Sequence, residues 1–172
     1  TADLSVSAVL GLSENSDLDW ARLRGLQYSA LAKLAFYRVF SHAVLAVFVA
    51  QIYLSTVGLI GIGIWMALLA AVHYRGYKLD ISLADTQRRR ITRDELNRQT
   101  LTAIMSGIVW AGAIIIFPLF GSDGDLMAML MVVALMISGS VFFYTAAPVG
   151  ILFFSAVVGV ATMVNLGLAG HW

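Results

Sequence analysis

Polar residues interrupt this chain rarely, and the apolar runs they leave are long. Five runs, 37–54, 57–74, 101–117, 126–143 and 149–168, carry no charged side chain except Arg38. Each comes close to the roughly 20 residues a helix needs to cross a bilayer. The pattern predicts an all-α protein, a polytopic transmembrane helix bundle of five spans. Only Ser55 and Thr56 separate the first two runs, so these must form an antiparallel hairpin. Pro118 stops the third run, and Pro148 suits the first turn of the fifth helix, where its missing N–H costs nothing.

Two stretches depart from this pattern. Residues 1–15 are mixed in character and predicted to be poorly ordered. After them Ser16, with Asp19 three residues on, supplies a helix start. Up to Arg38 the apolar Leu23, Leu26, Ala30, Leu31 and Leu34 recur at helical spacing among Arg22, Arg24 and Lys33. This describes an amphipathic N-terminal helix at the headgroup level, or equally the solvated face of a long first helix. The second stretch, 75–99, reads as a hydrophilic helix-loop in which Thr92 and Glu95 form a capping box that starts the helix of the third span. Its Asp80, Asp85, Asp94 and Glu95 are expected to pair with neighbouring bases in exposed and therefore weak bridges.

Charge then orients the bundle. All 11 Lys and Arg lie between Arg22 and Arg38 or between Arg75 and Arg98. Basic segments accumulate on the cytoplasmic side, so the N-terminus and the 75–99 segment are expected inside, with the acidic loop of Asp123 and Asp125 outside. The 60% hydrophobic content excludes an ordinary soluble domain. The bases sit where anionic headgroups explain them, so lipid is the expected partner and nucleic acid is not. No cysteine is present, which removes disulfides, thiolate metal sites and a thiol nucleophile. An odd number of spans leaves Trp172 outside, and the chain opens on Thr1 rather than Met. A preceding segment, a sixth span and a cytoplasmic domain are therefore expected in the native protein.

Candidate chemistry is sparse. Gly58, Gly61 and Gly63 sit in an apolar span with no Lys after them, so they are helix-packing material rather than a phosphate loop, as are Ser106, Gly107, Ala111 and Gly112. Every carboxylate falls outside the predicted spans, which argues against a proton-coupled transporter. His42 and His73 come to similar depth across the hairpin, either as interfacial side chains or as ligands for a haem or a transition metal. His171 is on the opposite side. Gln51 and Asn165 are placed to hydrogen-bond between helices or to bind a ligand. Arg88, Arg89, Arg90 and Arg93 form a basic patch at the membrane surface, setting topology or meeting acidic lipid. Met127, Met129 and Met131 share no helical face and so make no copper site; with Met136 they are lipid-facing or core filler.

Several features together resemble the six-span N-terminal sensor regions of bacterial signalling proteins. These are the tight first hairpin, Asp85-Thr-Gln-Arg-Arg-Arg90, Gly107-Ile-Val-Trp-Ala-Gly112 ending in Phe117-Pro118, Ser138-Gly-Ser140 and the Ala147-Pro148 entry to the last run. In that family such regions precede GGDEF, EAL or histidine kinase domains. The resemblance implies a dimeric, non-enzymatic input domain of the inner membrane, with no cofactor, that passes helix movements to a cytoplasmic output. None of the family's catalytic motifs is in this sequence. Two other readings stand beside it: an accessory or structural subunit of a larger membrane complex, and a haem-binding protein built on His42 and His73.

Overall fold

A computed structural model describes residues 18–84, 91–143, 147–168 and 170. The N-terminal 1–15 segment, Asp85, Arg88, Arg89, Arg90 and His171 lie outside the described residues. The described chain is helical: α1 (Leu18–Ser82), α2 (Arg93–Ile116), a 3-10 turn (Phe117–Phe120), α3 (Asp123–Phe143) and α4 (Pro148–Leu168). Four of these helices are long and apolar enough to cross a membrane.

Helix α1 is folded on itself. Its one non-helical residue is Gly58, at φ 80° and ψ 163°, a region that side chains with a Cβ hardly enter. The rings of His42 and His73 touch, and Arg38 pairs with Asp80. A straight helix rising 1.5 Å per residue would hold either pair about 45 Å or more apart. The turn is therefore Gly58 alone, not Ser55-Thr56. Both of those residues stay helical, and the Thr56 hydroxyl donates to the Tyr53 carbonyl at 3.3 Å. Serine and threonine can bond back to their own helix without leaving it, whereas the reversal needs a glycine dihedral.

The boundaries at the other end also differ from expectation. The second arm of α1 does not give way to a loop at Arg75 but stays helical to Ser82, where Leu83 and Ala84 donate to the Asp80 and Ile81 carbonyls. At the front, Leu18 to Arg38 is continuous with the first apolar run, not a separate surface helix. The remaining starts and stops follow local chemistry. Thr92 and Glu95 cap α2 reciprocally, at 2.9 and 3.3 Å. Pro118 ends α2 in the 3-10 turn, and Pro148 opens α4. Ser122 and Asp125 form a second reciprocal cap at the start of α3, at 2.8 and 3.3 Å.

Each helix buries one stripe at spacings of three and four: Leu31, Ala35, Arg38, His42, Ala46, Val49 and Tyr53 on the first arm, for example. The most extensive packing is between α2 and α4. A Cβ on Gly107 would lie 3.3 Å from Val157, and one on Gly150 3.4 Å from Ala103, so small residues set that interaxial distance. Gly58, by contrast, serves the turn rather than a packing face, and a Cβ on Gly63 or Gly112 would meet nothing within 4 Å. Met129 and Met136 fill the core while Met127 and Met131 face out. Large apolar side chains are exposed along the helices, from Phe36 and Phe48 to Phe142 and Met163, a surface compatible with a bilayer.

Candidate functional site

The most concentrated polar chemistry lies inside the bundle, near the open end of the α1 hairpin. Arg38 stands four residues before His42 on the first arm, and Asp80 seven after His73 on the second. Both pairs thus fall on the helix faces that meet across the hairpin. The Arg38 guanidinium bonds Asp80, and the Gln99 amide of α2 donates to the other oxygen of that carboxylate. Asp80 is wholly buried, and Arg38 and Gln99 nearly so. This overturns the expectation of a weak, exposed bridge at Asp80. It also places Asp80 within a helix of membrane-crossing length, against the expectation that every carboxylate falls outside the spans. An ion pair shielded from water is weakly screened, and its charges depend on each other to stay buried.

One turn deeper, the His42 and His73 rings lie 4.5 Å apart between centroids. The Trp110 indole N–H donates to Nδ1 of His42 at 3.1 Å, so neutral His42 carries its proton on Nε2. His73 is buried, and its Nε2 has no hydrogen-bond partner among the described residues. The histidines expected to come together do so. A haem held axially by both does not fit this arrangement, because rings in contact leave no gap for a porphyrin plane and Trp110 already occupies one His42 nitrogen. No group of three or more potential metal ligands occurs among the described residues.

From this cluster a column of rings runs the length of the core. Trp110 lies 6.0 Å from His42 and 5.3 Å from Trp65, which in turn lies 5.4 Å from Phe117; Tyr53 follows at 5.7 Å. At the far end the Tyr53 hydroxyl donates to the Asp125 carbonyl at 2.8 Å, beside the Ser122 cap. The Trp65 indole donates to the Val109 carbonyl at 3.1 Å. Edge-on ring pairs and anchored N–H groups make such a column stiff.

The remaining candidates are dispersed. Asn165 is buried beside the 3-10 turn, its amide reaching the Ile115 carbonyl at 3.5 Å while Oδ1 has no hydrogen-bond partner among the described residues. Gln51 is exposed on the outer face of the first arm. Arg93 is exposed at the first residue of α2, apart from the buried cluster. Sequence reasoning missed Asp80, Gln99 and Trp110. For Asp80 the available signal was the three-and-four stripe of the first two runs, which continues unbroken to Arg38 in one direction and to Asp80 in the other; for Gln99 and Trp110 it was the same spacing along α2, through Ala103 and Ser106. No protein family model, characterised protein or solved structure matches this chain.

Proposed function

We propose that this chain is a membrane-embedded sensory or regulatory domain of a bacterial signal-transduction protein, lying in the inner membrane and acting on a cytoplasmic output. In this reading the two arms of α1 are separate crossings, so that α1 to α4 supply five. Each arm is long enough to span hydrocarbon, and the reversal at Gly58 brings Arg38 and Asp80 to the same level. The N-terminus and the segment from Arg75 to Gln99, which hold every Lys and Arg but Arg38, then lie on the cytoplasmic side.

The observation that carries the proposal is the buried joint of Arg38, Asp80 and Gln99. It ties both arms of α1 to α2 at the end from which the basic segments emerge. A bundle built only for rigidity gains little from it, because a well-packed apolar trio commonly does as well. What an ionic joint supplies is a discrete, orientation-dependent contact: made in one helix arrangement and lost in another. Such an element turns a small bias at the outer end into a change of population at the inner end. The aromatic column gives the bias a packed route between the two.

The chain has no cysteine, so a nitroxide pair can be introduced cleanly at Ser82 and Asn97, both exposed. In lipid vesicles, pulsed dipolar spectroscopy should give two distance populations whose ratio shifts with bilayer thickness, and Gln99→Leu should leave one. A single distance unmoved by lipid and by Gln99→Leu would refute the switching role. It would favour the static accessory subunit.

A further inference from the structure

The second arm of α1 and α2 run antiparallel, and they come close at Gly76, where an added Cβ would lie 3.0 Å from the Thr102 methyl. Beside this contact the two helices leave a groove of about 360 Å³, lined by Ala71, Val72, Arg75, Leu101, Thr102 and Met105. That volume is within the range of small-molecule sites. Ala71, Leu101 and Met105 are exposed, so the groove opens on the outside of the bundle. Its lining is graded along the helices: Ala71, Val72 and Met105 lie toward the apolar runs, and Arg75 toward the basic segment. Arg75 is exposed and has no ion-pair partner among the described residues. Arg98, also exposed, stands one turn before Thr102 on the same face of α2, its carbonyl accepting from the Thr102 hydroxyl at 2.8 Å. Of the two carboxylates in the first turn of α2, Glu95 is held by the Thr92 cap. That leaves Asp94 against two arginines, a net positive charge at the mouth of the groove.

We propose that this groove holds an anionic phospholipid, its phosphate on Arg75 and one acyl chain laid along Ala71, Val72 and Met105. The phosphate follows from Arg75, whose planar fork matches two phosphate oxygens at once. The chain follows from the rest of the lining, which is apolar on the side that leads into the spans. The net charge of the head follows from the mouth, where the ammonium of a zwitterionic lipid would face two arginines. The level is right for a phosphate, because the neighbouring Tyr74, with Lys78 over its ring at 5.2 Å, marks the interfacial belt. Basic pockets between membrane-crossing helices on the cytoplasmic side hold acidic head groups in this way. Lys78 does not line the groove, so it adds charge to the same surface without belonging to the site. The inference requires only that these helices lie in a bilayer, and it stands whether or not the domain signals.

The test uses the whole chain in phosphatidylcholine vesicles with two photoreactive lipids that carry a diazirine in the acyl chain, a phosphatidylglycerol and a phosphatidylcholine. The phosphatidylglycerol should label peptides containing Ala71 and Met105 saturably, with competition by its unlabelled form but not by glycerol phosphate on both faces of the membrane. The phosphatidylcholine should label without saturation. Arg75→Gln should weaken the saturable component about tenfold, the loss of a charge-assisted hydrogen bond. Lys78→Gln removes the same charge from the same surface and should leave that component unchanged. Ala71→Phe should abolish it by filling the groove. Arg75 and Ala71 are both exposed, so these variants should fold. Equal losses in Arg75→Gln and Lys78→Gln would mean diffuse attraction to a charged surface, and would overturn the proposal. Saturable labelling by the phosphatidylcholine would overturn it too, as would displacement by glycerol phosphate, which would make this a site for a free phosphate.

Discussion

Asp80 cannot reach water, whereas Arg38 has a long stem on which its charge can be carried toward the interface. Removing the two partners one at a time should therefore have unequal effects. Arg38→Met strands a buried carboxylate and should cost about 3–5 kcal/mol, the usual range for breaking a buried pair. Asp80→Leu should cost less, and the double variant should recover most of the loss; denaturant-induced unfolding in mixed micelles measures all three. At Trp110, replacement by Phe keeps the ring stack and removes the donor to His42. It should destabilise by about 1 kcal/mol for the lost hydrogen bond, in the same assay. The pairing of His42 with His73 was legible in the sequence because a short connection fixes which residues of a hairpin lie opposite. Asp80 was not, because a carboxylate among bases in a polar stretch looks the same whether exposed or buried. Only the helix continuing past Arg75 turns it inward.

The hairpin depends on one backbone conformation. A Cβ at Gly58 would meet no atom within 4 Å, so Gly58→Ala tests dihedral strain alone and should cost about 1–3 kcal/mol. Ser55→Ala and Thr56→Ala should be near neutral, since neither residue makes the turn. Gly107→Leu should act differently, by forcing α2 from α4 where Val157 and Phe154 lie against the glycine. Overpacking of this kind typically costs about 1–3 kcal/mol, and it should appear as lost protection of amides at that contact in hydrogen exchange. The starts of α2 and α4 were well predicted, because a capping box or a leading proline is a local signal and Thr92, Glu95 and Pro148 carry it entire. The turn was misassigned by two residues for an equally local reason. Hydroxyl side chains look like breakers in a list of residue types, yet inside an apolar helix they are satisfied by the carbonyls behind them.

Across the whole molecule, the segregation of Lys and Arg determines the expected orientation, and the absence of cysteine makes it easy to check. A membrane-impermeant maleimide should label Ser122→Cys from outside intact cells and Ser82→Cys only after permeabilisation; the opposite pattern would invert the topology. Charge and span length were readable because each is a sum over many residues and tolerates local error. The joint between the arms and α2 depends on three side chains from distant parts of the chain, and no single stretch announces it. The reversal at Gly58 has a mechanical corollary. With a pivot of one residue there is no slack for the arms to slide lengthwise, and what remains is to spread like tongs. Each arm measures about 30 Å from pivot to the Arg38 level at 1.5 Å per residue, so opening by five degrees moves the tips about 2.6 Å apart. That distance is enough to part a guanidinium from its carboxylate while the packing beside the pivot stays almost undisturbed.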